Sequence, residues 1–430
     1  MSSRVRGWGR EGHEVDDQFH AATAEKMLEL LGSMKGAAMK VGQIASFVDL
    51  DLPPEAQETY RRVLGELRDS APSVDPDTIS EVIHDEYGIG PEQAFARWDP
   101  EPIAAASIGQ VHRARLDDGT EVVVKVQYPG IADAIEGDLD NAEAFAPLTR
   151  AFSPNLAIKP LLVELRERLV DELDYQREAE HQRAFAERYE GHPFIAIPRV
   201  HPAYCRPRVI VSDYVDGQSF DEMVETSDEG ARRRYGEIIY RFVFGSIHRF
   251  RLFNADPHPG NYLFGDDGRV TFLDFGSVKA FSSRTREQIQ QQMRSVWEND
   301  PAALLASLDD AGFLPHAHKT DADRLMAWFR QFNAPILDDG EWEYTPEFAR
   351  EVIRTTTDPR LGYVDLLRKL NLPADYLLLN RIQWGVNSIL GRLRGRANWQ
   401  RILLDLQGGP PATELGEVER PFIQASPHLV

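Results

Sequence analysis

The spacing of apolar residues predicts helices between about residues 20 and 90. From about residue 20 onward, apolar side chains recur three or four positions apart, beginning with Ala24, Met27, Leu28, Leu31 and Met34. This period is that of an amphipathic helix, and the prolines at 53, 54 and 76 suit the first turns of two further helices. We therefore predict a disordered stretch over residues 1–18, followed by a helical segment over residues 19–95.

Helical spacing stops after residue 102, and strands are predicted in its place. Residues 111–116 and 121–127 are rich in β-forming residues, and the Asp-Asp-Gly-Thr turn at 117–120 joins them. The preceding residues, 102–110, are mostly small and are predicted to form a loop. Two further strands are expected between residues 200 and 215, one on each side of Pro207, and the second includes the apolar residues 209–211. We assign residues 96–216 to a small β-containing unit with inserted helices.

Helical patterns return over residues 219–224, 230–250, 283–308 and 373–390. A hairpin interrupts them, because two short apolar runs, 262–264 and 270–273, flank a Gly-Asp-Asp-Gly turn. From Gly408 the chain is Pro-rich and lacks a regular period. The sequence thus predicts an α+β fold, with a helical unit over residues 217–407 and an irregular tail over 408–430.

The charge balance and the cysteine content restrict the function. The net charge of −21 argues against a nucleic-acid groove and against general attraction to an anionic membrane. The single cysteine, Cys205, excludes an intramolecular disulfide and a multi-Cys zinc site. No stretch approaches the ~18 apolar residues that span a bilayer, and the N-terminus lacks the apolar core of a signal peptide. A cytoplasmic protein is expected, with peripheral contact to a membrane surface as an option.

The residues best suited to catalysis lie between positions 253 and 278. Asn261 follows Asp256 by five positions, and Asp274 opens an Asp-Phe-Gly triplet eighteen positions after Asp256. Transfer of a γ-phosphoryl group requires a group that positions the nucleophile and oxygen ligands for Mg²⁺. We assign the first role to Asp256 and the second to Asn261 and Asp274, because this spacing around a hairpin is typical of a kinase catalytic loop and metal-binding loop.

Residues that could contact a bound nucleotide lie before position 253 in the chain. Lys125 stands near the end of the strand predicted over 121–127, where a kinase lysine contacts the phosphates. Asp213 and Val215 lie in a connector that suits backbone hydrogen bonds to adenine. The small-residue loop could bring its backbone close to the phosphates, although alanine makes it stiffer than a glycine-rich loop. Its candidate residues are Ala104, Ala105, Ala106, Ser107, Ile108, Gly109 and Gln110.

A kinase also needs a helix carboxylate that orients the strand lysine. Glu172 and Glu178 are both candidates, but they lie six positions apart and therefore on different helix faces. They cannot both point at Lys125, and the spacing does not choose between them. Lys40, in a Lys-Val-Gly-Gln segment, has on spacing alone the pattern of an ordinary surface lysine.

Together these motifs resemble the UbiB/AarF family of atypical kinases, called ADCK proteins in animals. The resemblance covers about residues 20–400. It implies a bilobal protein-kinase-like fold with an N-terminal helical extension. The matching segments are Lys40-Val41-Gly42-Gln43, Ala104-Ala105-Ala106-Ser107-Ile108-Gly109-Gln110-Val111-His112, Val124-Lys125-Val126-Gln127, Glu172-Leu173-Asp174-Tyr175 with Glu178-Ala179, Asp256-Pro257-His258-Pro259-Gly260-Asn261 and Asp274-Phe275-Gly276.

The resemblance also implies roles for individual residues. In this family the extension covers the active site, so Lys40 would point toward the nucleotide and Glu178 would be the partner of Lys125. The implied cofactors are ATP or ADP and Mg²⁺. The implied activity is ATP hydrolysis or unorthodox phosphoryl transfer linked to isoprenoid quinone lipids, with a lipid or quinone precursor as partner.

Three functional hypotheses follow. The first is a Mg²⁺-dependent kinase or ATPase that uses Asp256, Lys125, Asn261 and Asp274 in one cleft. The second is a nucleotide-gated module that binds a lipid or a partner protein without useful phosphoryl transfer. The third is a small-molecule phosphotransferase, which shares the spacing from Asp256 to Asn261. The sequence predicts no oligomeric state.

Overall fold

The computed structural model describes most of the chain from residue 75 to residue 426. Within that range it leaves out residues 107, 135–171, 315–318, 358–360, 362, 364, 365, 367–369, 372 and 373. The predicted disordered stretch and most of the predicted helical extension, with Lys40, therefore lie outside the described residues. Ser107 and most of the helical insert predicted after residue 133 lie outside them as well.

The elements follow in chain order, and the chain groups into two compact units. The sheet unit comprises residues up to 177 together with 201–214, and the helical unit comprises 178–200 and 215 onward. The strands are β1 (Arg97–Ala106), β2 (Gly109–Arg115), β3 (Glu121–Gln127), β4 (Ile195–Ala196), β5 (Val209–Asp213), β6 (Leu252–Asn254), β7 (Tyr262–Phe264), β8 (Val270–Phe272), β9 (Val278–Ala280), β10 (Trp342–Glu343) and β11 (Arg396–Ala397). The α-helices are α1 (Pro76–Tyr87), α2 (Pro91–Ala94), α3 (Tyr175–Arg188), α4 (Phe220–Thr226), α5 (Glu229–Gly245), α6 (Ser283–Trp297), α7 (Pro301–Asp310), α8 (Ala322–Phe332), α9 (Pro346–Thr357), α10 (Ala374–Leu393), α11 (Trp399–Leu406) and α12 (Glu414–Ala425). A π-helix, Ser246–Phe250, extends α5, and 3-10 helices cover Pro259–Asn261 and Ala334–Ile336.

The sheet unit is built on an antiparallel sheet with the strand order β1-β2-β3-β5. Val122, Val124 and Val126 of β3 are fully buried in one core cluster with apolar residues of α1. Because side chains alternate along a strand, Lys125 lies on the opposite face of the sheet from these valines. The two strands predicted over 111–116 and 121–127 are confirmed as β2 and β3. Of the two strands predicted around Pro207, the second is confirmed as β5, but the first was wrong, because residues 201–205 form turns and coil.

The alanine-rich segment forms a strand, so the prediction of a loop was wrong. β1 continues through Ala106 and pairs with β2, with Ala104 opposite Val111 and Ala106 opposite Gly109. The register of this pair is irregular around Pro102, which lacks the N–H that a regular ladder uses. Alanine is a weak strand former, but a neighbouring strand supplies the backbone partners that its own propensity does not.

The helical unit surrounds the predicted hairpin with aromatic side chains. β7 and β8 pair antiparallel, which confirms the hairpin, and Phe272 of β8 stacks on Phe242 of α5 at 3.6 Å between ring centroids. Residues 178–200, which the sequence analysis places in the small unit, group here instead. They group with the helical unit because the apolar side of α3 packs there, with Phe185 against both Phe242 and Phe275.

Most helices predicted beyond residue 217 are present. α5 with its π-helix covers residues 230–250, and α10 covers the helix predicted over 373–390. The helical region predicted over most of 283–308 consists of two helices, α6 and α7. At the break Asn299 has a positive φ of 52°, and the carboxylate of Asp300 accepts hydrogen bonds from the first N–H groups of α7.

The predicted irregular tail contains a helix, α12, and that prediction was wrong. Thr413 caps α12 by accepting a hydrogen bond from the Gly416 N–H at 3.2 Å. The side chain of Glu419 is buried and bonds to Arg241 of α5 at 2.9 Å, which anchors the helix. Composition could not show this, because the partner of Glu419 is far away in the sequence.

Arg241 is the centre of a buried group of charges that we call the ion cluster. Its guanidinium is fully buried and bonds to three carboxylates at 2.7 to 2.9 Å. Arg249 and His192 also contact Glu419, at 3.0 and 3.2 Å. The members of the ion cluster are Arg241, Glu237, Asp405, Glu419, Arg249 and His192.

Candidate active site

Asp256, Asn261 and Asp274 lie on two adjacent loops of the helical unit. Asp256 follows β6 and is buried, Asn261 ends the 3-10 helix that leads into β7, and Asp274 stands two residues after β8. The Leu273 N–H donates to the Asn261 carbonyl at 3.0 Å, which brings the start of the Asp-Phe-Gly segment beside Asn261. The hairpin thus brings three residues from positions 256 to 274 into one group.

Asn254 joins these two loops by hydrogen bonds. It was not among the site residues predicted from the sequence. Its Nδ2 donates to the Asp274 carbonyl, and its Oδ1 accepts from the Asp256 N–H at 2.9 Å. The Ala255 N–H adds a backbone bond of 2.7 Å to the Ser277 carbonyl. An Asn two positions before an Asp commonly forms such a local turn, so this signal was present in the sequence.

Glu178 lies beside the Asp-Phe-Gly segment. It is 4% exposed, and a Cβ built on Gly276 would lie 3.6 Å from its Oε2 and 3.5 Å from Oδ1 of Asp274. The Gly276 N–H also donates to Oδ1 of Asp274 at 2.9 Å, which fixes that carboxylate. The carboxylates of Glu178 and Asp274 therefore both lie beside Gly276.

Helix α3 also contacts Phe275, the middle residue of the Asp-Phe-Gly triplet. Phe275 is fully buried, and its ring lies 5.0 Å from that of Phe185. The imidazole of His181 lies one helical turn before Phe185 and contacts the Phe275 carbonyl at 3.3 Å. Glu178, His181 and Phe185 follow one another at helical spacing, so a single face of α3 contacts this segment.

Helix α10 packs closely against the other loop. A Cβ built on Gly385 would lie 2.5 Å from Cγ of Pro257, the residue after Asp256. Any larger residue would push one of them aside. His258 shapes the turn that follows, because its Nδ1 accepts a hydrogen bond from the Gly260 N–H at 3.1 Å. Gly385 could not be predicted from the sequence, since nothing local marks a glycine inside a helix as a contact to a loop.

The donor atoms on these loops fit a magnesium ion. Asn261 donates from Nδ2 to the Asp256 carbonyl at 3.3 Å, so its Oδ1 is the atom left for a metal. An amide oxygen and an aspartate carboxylate are both hard oxygen ligands of the kind Mg²⁺ takes, with substrate phosphates completing the shell. No group of three or more His, Cys, Asp and Glu in the described part of the chain forms a metal-binding cluster.

In the sheet unit, Lys125 is held between β2 and β5, opposite Val111 and Ile210. Its Nζ lies 4.9 Å from the ring centroid of Tyr175, which is almost fully buried. The side chain of Gln127 donates to the Leu173 carbonyl at 2.7 Å, so the segment before α3 is tied to β3. The choice between Glu172 and Glu178 as the partner of Lys125 stays a prediction.

The residues proposed to cover the phosphates differ in how far their side chains are exposed to solvent. Ala104 and Ala105 are exposed at the end of β1, whereas the side chains of Ile108 and Gln110 are buried. Gln110 bonds to the ring of His112 at 2.9 Å. A Cβ on Gly109 would lie 2.2 Å from the Val126 carbonyl oxygen and 2.9 Å from the Tyr175 hydroxyl, so only glycine fits that position.

The two candidate adenine contacts lie at the end of β5. The carboxylate of Asp213 contacts Nε2 of His201 at 2.7 Å, and the Tyr214 N–H donates to the Glu121 carbonyl at 3.0 Å. Val215 is partly buried at the start of the second part of the helical unit. Adenine binding by the backbone here stays a prediction.

The sequence also matches a known family over more than half of its length. Residues 66–308 match the family described as the ABC1 atypical kinase-like domain. This chain belongs to that family. The family assignment and the kinase-like fold predicted from the motifs are both confirmed.

Relatives in distant organisms support the assignment. The chain is 32% identical over 305 residues to the rat protein named atypical kinase COQ8B, mitochondrial, a match that covers 70% of this chain and 57% of the relative. It is 30% identical over 310 residues to the probable protein kinase UbiB of Azotobacter vinelandii, covering 70% and 56%. This chain thus spans about half the length of the curated relatives it matches.

A solved structure extends the similarity over nearly all of the chain. The complex of Rv3197 with erythromycin from Mycobacterium tuberculosis matches with a TM-score of 0.66 and 29% sequence identity, covering 93% of this chain and all of that one. No helix among the described residues is long and apolar enough to cross a membrane.

Proposed function

We propose that this protein binds a magnesium nucleotide and hydrolyses ATP or transfers its γ-phosphoryl group. The observation that carries the proposal is the joining of the loops of Asp256 and Asp274 by Asn254, with Glu178 at Gly276. Phosphoryl transfer depends mainly on positioning and on electrostatic stabilisation, so loops fixed to each other are the feature that matters most.

Each residue of this group has a role in the proposal. Asn261 and Asp274 would hold Mg²⁺, which neutralises charge on the phosphate oxygens when it is bound. Asp256 would orient the attacking hydroxyl or water. Lys125 and the backbone of the alanine-rich strand would bind phosphates, as the family resemblance implies. The same resemblance assigns Lys40 to the nucleotide.

The acceptor of the phosphoryl group belongs to the proposal as well. We propose a link to isoprenoid quinone or other lipid metabolism, supported by membership in the family to which COQ8B and UbiB belong. The matching partner would be a lipid or a quinone precursor, reached at a membrane surface or free in solution.

A second candidate function is a nucleotide-gated binding module. It is favoured by the similar structure, which is a complex with erythromycin. In this version nucleotide binding would control the uptake of such a ligand, and phosphoryl transfer would contribute nothing useful.

The substitution Asp274→Asn tests the enzyme proposal. Loss of a metal ligand should reduce Mg²⁺-dependent ATP turnover by at least about 100-fold, because even residues outside the ligand set cost 10–100-fold. The measurement is phosphate release by the full chain, together with calorimetric titration of Mg-ADP. The matched control is Asp266→Asn, since Asp266 is exposed in the turn between β7 and β8.

The two outcomes separate the candidates. Unchanged nucleotide affinity and turnover in Asp274→Asn would contradict the metal assignment. Tight nucleotide binding by the unaltered protein, with no phosphate release in the presence or absence of lipid vesicles, would favour the binding module.

A further inference from the structure

One aromatic ring of the sheet unit contacts the charged end of Lys125. The Nζ atom of Lys125 lies 4.9 Å from the centroid of the Tyr175 ring. An ammonium within about 6 Å of a ring centroid is attracted by the negative charge density on the ring face, and the attraction is stronger where water is excluded. Only 1% of Tyr175 is exposed. Water therefore weakens this contact less than it would weaken the same contact at the surface.

The start of α3 holds Tyr175 in place beside the lysine. Tyr175 is the first residue of α3, and the carboxylate of Asp174 just before it accepts a hydrogen bond from a backbone N–H in the first turn of the helix at 3.0 Å. Gln127 lies two residues after Lys125 on β3, and its side chain donates to the Leu173 carbonyl at 2.7 Å. The segment that carries the ring is thus bonded to the strand that carries the lysine.

The other end of the same side chain reaches the start of β2. A Cβ built on Gly109 would lie 2.9 Å from the Tyr175 hydroxyl oxygen and 2.2 Å from the Val126 carbonyl oxygen. The hydroxyl therefore lies close to the backbone of Gly109, in the segment proposed to cover the phosphates. One buried tyrosine thus contacts both groups of the sheet unit that are proposed to bind phosphate, the lysine and the backbone of the small-residue segment.

A ring face suits the task of holding a lysine for a phosphate. The ammonium has three N–H donors, and a ring face attracts its charge as a whole rather than accepting one particular N–H. The contact with the ring therefore does not itself prevent these donors from bonding to phosphate oxygens. A lysine side chain loses much conformational entropy when it is ordered, so a lysine that is ordered beforehand binds an anion more tightly.

We propose that Tyr175 is a positioning residue for Lys125, whose ammonium it holds where the phosphates of a nucleoside diphosphate or triphosphate bind. The inference rests on the proposed binding of a magnesium nucleotide and deepens it by naming the residue that orders the lysine. It holds whichever of Glu172 and Glu178 is the carboxylate partner of Lys125, because the ring acts in addition to that carboxylate.

Calorimetric titration of the full chain with Mg-ADP and with adenosine tests this role. Tyr175→Leu keeps apolar bulk but removes the ring, so it should raise the dissociation constant of Mg-ADP about 3- to 10-fold. The dissociation constant of adenosine, which has no phosphate, should change less than about twofold. Tyr175→Phe keeps the ring face and should stay within about twofold of the natural protein for both. The matched control is Tyr87→Leu, which removes a ring of the same unit that lies 4.6 Å from the Arg206 guanidinium and should change neither constant.

A second measurement separates electrostatic attraction from packing. Trifluorophenylalanine at position 175 has nearly the shape of phenylalanine, but fluorine withdraws electron density from the ring face and weakens its attraction for a cation. The dissociation constant of Mg-ADP should therefore rise about 3- to 10-fold relative to Tyr175→Phe. In the nucleotide-free natural protein, the ring should also shift the NMR signal of the Lys125 methylene beside the ammonium to high field. Tyr175→Leu should abolish that shift, and loss of the signal in Lys125→Arg assigns it.

The outcomes separate this inference from the function on which it rests. Absence of Mg-ADP binding to the natural protein would overturn the nucleotide proposal and this inference with it. If Mg-ADP binds, an equal loss of affinity for ADP and adenosine in Tyr175→Leu would overturn the role of Tyr175 alone. Unchanged Mg-ADP affinity on fluorination, or a Lys125 signal without the high-field shift, would do the same. Thermal unfolding shows whether each variant is folded.

Discussion

Two polar groups of the helical unit are held together by different forces. The first, which we call the loop cluster, comprises Asn254, Asp256, Asn261 and Asp274 and is fixed by amide and backbone hydrogen bonds. The second is the ion cluster around Arg241, in which full charges contact one another. The loop cluster spans 21 residues, whereas bonds of the ion cluster join residues up to 227 positions apart.

The contrast indicates what each group is for. In the ion cluster each carboxylate contacts at least one cationic side chain of the protein, which suits a structural role. In the loop cluster the bonds from Asn254 and Asn261 go to the backbone of Asp256 and Asp274, so the loops are fixed without using the two carboxylates in those bonds. This is the arrangement expected where a cation and a nucleotide bind.

The largest effect is expected from breaking the ion cluster. Arg241→Met leaves Glu237, Asp405 and Glu419 without their shared cation, and removing one partner of a buried ion pair costs about 3–5 kcal/mol. Urea unfolding should show this loss. The matched control is Arg401→Met, which removes an exposed pair with Asp339 and should cost less than about 1 kcal/mol. A loss below 1 kcal/mol for Arg241→Met would show that the cluster does not anchor α12.

Acid should weaken the same cluster. Burial alone would raise the pKa of Glu419, but its hydrogen bond to His192 and the charges of Arg249 and Arg241 hold the pKa at about 2. A carboxylate whose pKa is lowered in the folded state stabilises the fold above its unfolded pKa of 4.5. That contribution, of the order of 3 kcal/mol, is lost as the pH falls from 4.5 to 2.

His192 also makes the folded state less stable as the pH falls. Burial lowers its pKa below 6.5, so protonation of the folded form becomes unfavourable as the pH falls below that value.

Urea midpoints of the natural protein and of Glu419→Gln should converge between pH 4.5 and pH 2.5. Midpoints that stay parallel over this range would show that Glu419 does not titrate as its surroundings require.

The smallest effect is expected from Asn254→Ala in the loop cluster. Both of its bonds are lost, so ATP turnover should fall about 10- to 100-fold, by analogy with residues that orient metal ligands. Unfolding free energy should fall by only about 1–2 kcal/mol. Phosphate release and urea unfolding measure the two effects, and Asn398→Ala, which removes the cap of α11, serves as a control with full turnover. Equal turnover in both variants would exclude a positioning role for Asn254.

The same contrast explains how far the sequence could predict the structure. Three of the four residues of the loop cluster, Asp256, Asn261 and Asp274, were predicted because their spacing places them around a hairpin, whereas Asn254 was not. The ion cluster and α12 were not predicted, because Arg241 and Glu419 meet only through tertiary packing. The alanine-rich strand shows a third case, since pairing with β2 overrode a composition that resembled a loop.

The π-helix that carries His248 has a consequence for the chain that follows it. A π-turn holds one more residue than an α-turn. Each residue after it is therefore rotated by about 100° about the helix axis, compared with its position after a regular α-turn. Arg251, with a φ of 55°, then leads the backbone into β6 and Asp256. The length of this segment is therefore under tighter constraint than its composition. Single-residue deletions between 246 and 250 should be rejected where many substitutions are accepted, because they would turn Asp256 away from Asp274.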